Sequence, residues 1–226
     1  MKKKLNTTQI ISLVMSLLPI IVTAVFYSRL PDRIPTHWNL DGSVTYSGRG
    51  QIWMISAMSL VLGPLLVFLP RIDPRKRNYE KFQKYYDGVV IVFVVFMLAI
   101  TGMVISESFK PGRLAISTIV CALVGLLFIF IGNIMPKIKS NFFMGIKTPW
   151  TLSSDVVWYR THRIAGILWF IGGLLIIVSS FALNDVPLFV LLMAIVVVIS
   201  VVPFVMSYVW YRKISRNSGD TGEKEQ

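Results

Sequence analysis

The chain has 226 residues, of which 54% are hydrophobic and only 15% charged, and its mean hydropathy is +0.67. Soluble domains carry about 25% charged residues, so this balance excludes a conventional soluble enzyme and an intrinsically disordered protein alike. The formal charge of +12, from 23 Lys+Arg against 11 Asp+Glu, suggests a nucleic-acid partner only until the positions of the charges are considered. They sit outside long apolar runs, so no direct nucleic-acid contact is expected.

Six runs, at about 10–27, 52–70, 88–106, 114–134, 164–183 and 188–210, each approach the roughly 20 residues that cross a bilayer as a helix. None contains Asp, Glu, Lys, Arg or His. The expected fold is therefore an all-α polytopic membrane protein with six transmembrane helices. Lys and Arg divide as 18 on the side of the termini and five on the other, which places both termini in the cytoplasm. Lys2, Lys3 and Lys4 precede the first run, but Tyr27-Ser28-Arg29-Leu30 offers no small-x-small cleavage site, so that run reads as an uncleaved helix. Cys121, the single cysteine, falls inside the fourth span, which rules out an intramolecular disulfide.

The chain divides into a two-helix unit, 1–70, with an outer loop 28–51; a basic inner loop, 71–87; a four-helix region, 88–211, with an inner segment 135–163; and a mobile tail, 212–226. Trp38 and Trp53 outside, and Trp150, Trp158 and Trp210 inside, read as interface anchors, while Trp169 lies within a span. Pro19, Gly63-Pro64 and Pro203 predict local kinks. Gly102, Gly125, Gly166, Gly172 and Gly173 would let helices approach closely, although no GxxxG is present.

In the outer loop, Pro31, Pro35 and the Asn39-Leu40-Asp41-Gly42 turn signal predict a structured cap. Asp32, His37, Asn39 and Asp41 carry ligand atoms, but their spacing matches no metal motif, so turn stabilisation and recognition are expected instead. The loop 71–87 sets six basic residues among Tyr79, Phe82, Tyr85 and Tyr86, beside Asp73, Glu80 and Asp87, a composition suited to lying on a bilayer with anionic headgroups. In 133–163, Pro136, Gly145 and Pro149 break regular structure; Thr151 or Ser153 then caps a helix that begins near Ser154 and runs into the fifth span. Asp155, Trp158, Tyr159, His162 and Gly166 share a face of it. Two readings stay open: an interfacial helix with snorkelling Arg160 and Arg163, or a docking surface built from Asp155, Trp158 and His162.

His37 and His162 lie on opposite sides of the membrane, and no HExxH, GxSxG or P-loop pattern occurs, so neither catalysis nor a cofactor is expected. An ion-coupled transporter is disfavoured because no span holds an ionisable residue.

LPDRIPTHWNLDG at 30–42, followed by GNIMPKIKSNFFMGIKTPWTLSSDVVWYRTHRIAG at 132–166, resembles the SdpI family of bacterial immunity proteins. The first block is similar to the small N-terminal domain of unknown function often found in these proteins. The resemblance implies a multi-span plasma-membrane protein that protects a cell from a secreted, sporulation-delaying toxin. It further implies a receptor that, once engaged, retains a cytoplasmic winged-helix repressor at the membrane. Pro31, Ile34, Pro35, His37, Trp38, Asn39 and Gly42 match the first block; Pro31, Asp32, Pro35, His37, Trp38, Asn39 and Gly42 form the candidate outer recognition set. Asn133, Pro136, Lys137, Lys139, Asn141, Gly145, Thr148, Pro149, Trp150, Thr151, Trp158, Thr161, His162 and Arg163 match the second. With Asp155 and Lys147, the latter standing where the family commonly has Arg, this block supplies the candidate cytoplasmic docking set. Rival readings are a small transporter or peptide exporter, and a membrane-bound enzyme using His162 and Asp155 as acid and base.

Overall fold

A computed structural model describes residues 4–39 and 43–222, with side chains as far as 216. Gly42 and Asp41 of the outer loop, Lys2, Lys3 and the last residues of the tail lie outside the described residues. Six helical passes are present, as the hydropathy predicts. The first is divided into α1 (Thr7–Met15) and α2 (Leu18–Tyr27), because Pro19 at the start of α2 has no N–H to continue the ladder. Asn6 caps α1 reciprocally with Gln9.

The outer loop folds as an antiparallel hairpin of β1 (Arg33–Trp38) and β2 (Val44–Gly48), closed by Asn39 N donating to Ser43 O at 2.9 Å. The cap expected there is thus a pair of strands. A register shift between Pro35 and His37 accommodates the missing proline donor. Leu30 and Ile34 anchor the hairpin in an outer core. They pack with residues of the helices α3 (Gln51–Ile72) and α5 (Gln83–Phe109).

Between these helices the inner loop makes one short helical turn, α4 (Lys76–Tyr79). The chain continues as α6 (Ile116–Ile134), a 3₁₀ turn at Met135–Lys137, α7 (Pro149–Ser153), α8 (Asp155–Ser180) and α9 (Asp185–Gly222). At about 1.5 Å per residue, the 38 residues of α9 reach about 57 Å, well beyond a bilayer's roughly 30 Å core. The segment expected as a tail, from 212, therefore begins as a continuation of this helix. Val25, Met54, Leu126, Val178 and Val190 are exposed along the passes, where lipid would cover them.

α1, α2, α3 and α5 pack as one group and α6, α8 and α9 as another. The tightest seam joins antiparallel α6 and α8 through Gly125 and Gly132 on one and Gly166 and Gly173 on the other. A Cβ at Gly132 would lie 2.5 Å from Phe170 N, and one at Gly173 would lie 2.5 Å from Gly125 O. Each pair is seven residues apart, two helical turns, so the glycines fall on one stripe. Gly132 was not among the glycines singled out from sequence, where a four-residue spacing was sought. Gly102, which was, has open space around its Cα, and Gly172 approaches Ile195 on α9.

One correction concerns charge. The runs 88–106 and 114–134 are free of ionisable groups, but α5 extends past them and carries Asp87 and Glu107, each 4% exposed. Asp87 accepts from the side-chain amides of Asn6 (2.7 Å), Gln83 (2.7 Å) and Gln9 (3.4 Å). Glu107 accepts from the backbone N–H groups of Gly112 and Leu114. Among the described residues neither carboxylate has a cation at ion-pairing distance; neutral donors satisfy their oxygens at the helix ends.

Candidate functional site

The protein has two shaped polar regions, one at each end of the helices. At the outer end, the bulged part of the hairpin leans over α6 and α9 and leaves a cleft of about 310 Å³. Thr36, His37, Trp38 and Asn39 form one side; Ile116, Val120, Leu188, Phe189 and Leu192 form an apolar wall opposite, with Asp185 at its edge. Three members of the candidate outer set, His37, Trp38 and Asn39, are brought to this cleft. Pro31 and Asp32 are exposed at the base of the hairpin, where Asp32 Oδ1 lies 3.8 Å from Arg49, and Pro35 is buried. Among the described residues no three His, Cys, Asp or Glu side chains converge as metal ligands. The α6 and α9 side of the cleft was not legible in sequence, because a run of Leu, Val and Phe signals only a span.

At the inner end, the two large loops are fastened together by side chains from both. Asp73, at the end of α3, begins the arrangement. Its Oδ1 accepts from Arg75 N at 2.6 Å, and its Oδ2 accepts from Phe142 N at 2.9 Å and lies 3.0 Å from the Tyr79 hydroxyl. The same hydroxyl is 3.1 Å from Asn141 Oδ1, so its one proton is shared between two acceptors. Burial and the hydrogen bond to Asp73 push the Tyr79 phenol well above its ordinary pKa, which keeps it a donor. Asn141 is wholly buried and uses its entire amide: Oδ1 accepts from Phe143 N and Met144 N, and Nδ2 donates to Lys139 O and Met144 O. Asn78 Nδ2 donates to Ser140 O at 2.7 Å, and the Arg75 guanidinium donates to Ser140 Oγ and to Leu152 O.

The stretch 139–151 rests on α8 through Trp158 and His162. Trp158 Nε1 donates to Ile138 O at 2.9 Å, and its indole stacks on the His162 ring with centroids 4.0 Å apart. His162 Nδ1 donates to Trp158 O at 2.8 Å, and Nε2 accepts from Ile146 N at 3.0 Å, which defines a neutral imidazole. Gly145 passes over that ring with φ +106; a Cβ there would lie 2.3 Å from His162 Nε2. Thr148 and Thr151 form a reciprocal capping box at the start of α7, and Thr148 also bonds Ser207 on α9 at 3.1 Å. Trp150 packs against Phe204 and Tyr208 of α9. The N-cap of α8 is Ser154, one residue after the Ser153 expected.

This geometry corrects two sequence readings. Trp158 (2% exposed) and His162 (0%) are buried, so they shape the loop from inside and present no docking surface. Both His162 nitrogens are occupied by backbone groups and Asp155 is exposed, so the described geometry does not pair them as acid and base. Asn141, Thr148, Thr151 and Thr161 are likewise buried, and Pro136, Gly145 and Trp150 are partly so. Asn133, Lys137, Lys139, Lys147, Pro149, Asp155 and Arg163 make the exposed part of the candidate set. In the loop 71–87, Tyr79, Phe82 and Tyr86 point into the inner core beside Ile138 and Trp158. Their spacing of three and four residues makes them one packing face, while Lys76, Arg77, Lys81 and Lys84 stay exposed together with Glu80. Asp73, Arg75, Asn78 and Ser140 were not singled out; the Asp73-Pro74 pair was the available turn signal.

Residues 137–207, from the end of the 3₁₀ turn into α9, match the SdpI/YfhL protein family. Residues 14–60, which include the hairpin, match a domain of unknown function, DUF1648. The chain is 23% identical over 206 residues to Immunity protein SdpI of Bacillus subtilis (strain 168), covering 91% of this chain and 97% of that one. No solved structure matches it significantly. With six apolar helices and this likeness, the chain is a multi-pass plasma-membrane protein.

Proposed function

We propose that this chain is an integral membrane immunity protein that protects its cell against a secreted antibacterial toxin, with no chemical step of its own. The observation that carries this reading is the likeness to Immunity protein SdpI along 91% of this chain and 97% of that one, since it takes in nearly the whole of both chains. The positive-inside bias of 18 to five puts both termini and the inner loops in the cytoplasm and the hairpin outside. The cleft beneath the hairpin is then the toxin-facing site. Its apolar wall suits a hydrophobic peptide segment, and His37, Asn39 and Asp185 offer hydrogen bonds at its rim.

The finer part of the proposal is that toxin engagement is signalled inward to a winged-helix repressor. The α6 and α8 seam runs from beside the cleft to the fastened inner loops, where exposed Lys137, Lys139, Lys147 and Arg163 offer a cationic docking face. The test is survival of a sensitive bacterium expressing the chain and challenged with the family's toxin, with membrane insertion checked in parallel. Protection by inserted protein is expected. Unprotected cells with normal insertion would refute the immunity reading. Co-purification of the repressor with wild type, lost on Lys137→Glu/Lys139→Glu, is expected for the docking face.

A further inference from the structure

The start of α1, the inner end of α3 and the α4 turn enclose a pocket of about 500 Å³, which shares Tyr79 with the inner fastening but lies apart from the outer cleft. Four cations line it, Lys4, Arg71, Lys76 and Arg77, against the single carboxylate of Glu80. Lys4, Lys76 and Arg77 are exposed, and among the described residues none of them has a carboxylate at ion-pairing distance. Like charges gathered in one hollow repel each other unless an anion enters it.

The wall behind the cations is apolar: Val67 and Pro70 of α3, both buried. Phe68 and Ile72 on the same helix end are exposed, at 41% and 70%. The pocket thus sits at the end of two membrane-crossing helices, where the apolar runs give way to charge and phospholipid headgroups are expected. The amides of Asn6, Gln9 and Gln83 at its floor are turned to Asp87, so recognition of a ligand falls to the cations.

We propose that this pocket binds the phosphate of one anionic phospholipid, with Lys4, Lys76 and Arg77 around the phosphate oxygens and Val67 and Pro70 beside the glycerol end. A phosphate ester is the chemistry recognised; a soluble phosphate would satisfy the cations but leave the apolar wall unused. The proposal is independent of toxin immunity.

Native mass spectrometry of the full chain in detergent tests it, with phosphatidylglycerol and phosphatidylcholine of the same acyl chains as probes and inorganic phosphate as competitor. Phosphatidylglycerol should remain bound under activation that strips phosphatidylcholine. Lys4→Gln/Lys76→Gln/Arg77→Gln should weaken that binding at least about tenfold, since each cation near an anionic headgroup adds to the attraction. The charge-preserving Lys4→Arg/Lys76→Arg/Arg77→Lys variant should restore it, and Lys137→Gln/Lys139→Gln/Arg163→Gln should leave it unchanged. Equal retention of the two lipids, undiminished binding in the glutamine variant, failure of the charge-preserving variant to restore binding, an equal loss in the Lys137 control, or displacement by millimolar inorganic phosphate would each overturn the proposal.

Discussion

Gly145 shows how a single residue ties the inner loop to α8. Its φ of +106 is strained for any side chain, and its Cα lies over the edge of the His162 ring. Gly145→Ala should cost about 1–3 kcal/mol, read as a lower unfolding temperature in detergent. The fastening across the loops makes a second residue-scale prediction. Asp73 holds Arg75 N, Phe142 N and the Tyr79 hydroxyl; Asp73→Ala strands the two backbone donors and leaves the hydroxyl to Asn141 Oδ1, and should destabilise by roughly 1–3 kcal/mol. Tyr79→Phe removes one of the same bonds. The double variant should therefore fall short of the sum of the two singles, whereas additive losses would show that the pair is not coupled. At this scale the sequence was only partly legible. The family-like block named Asn141, Trp158 and His162, but nothing in their spacing says whether a tryptophan and a histidine on one helix face meet solvent or a returning loop. Ile146 N and Ile138 O answer that question, and they come from residues 16 and 20 positions earlier.

The elements were more legible, because a run of about 20 apolar residues has few alternatives to a helix. What hydropathy missed lies at the ends, where α5 runs on to Asp87 and Glu107. It also missed the hairpin, since Pro35 within a short polar loop argues against a strand unless it sits at an irregularity, which is where it lies. The seven-residue glycine pairing between α6 and α8 was hidden for a related reason: partners on different helices carry no mutual spacing in the chain. Gly132→Val should force these backbones apart, lowering stability by several kcal/mol or preventing assembly, measured by unfolding in detergent. Gly102→Val, at a position with nothing within 4 Å, should have little effect.

As a whole, the molecule is two helical groups joined at the inner end by a hydrogen-bonded fastening and at the outer end by a hairpin leaning across the cleft. The uneven distribution of Lys and Arg predicts its orientation. A fluorescent reporter fused after Gln226 should be active in the cytoplasm, and a periplasm-dependent enzyme inserted at Pro111 should be active outside; the reverse pattern would contradict the assignment. The central claim is immunity exercised from the outer cleft, and it is tested most directly by toxin survival of cells carrying wild type or Phe189→Asp/Leu192→Asp. The account predicts survival with wild type and killing with the cleft variant at equal membrane levels. Equal survival of the two would contradict the cleft, and killing of both would contradict immunity itself.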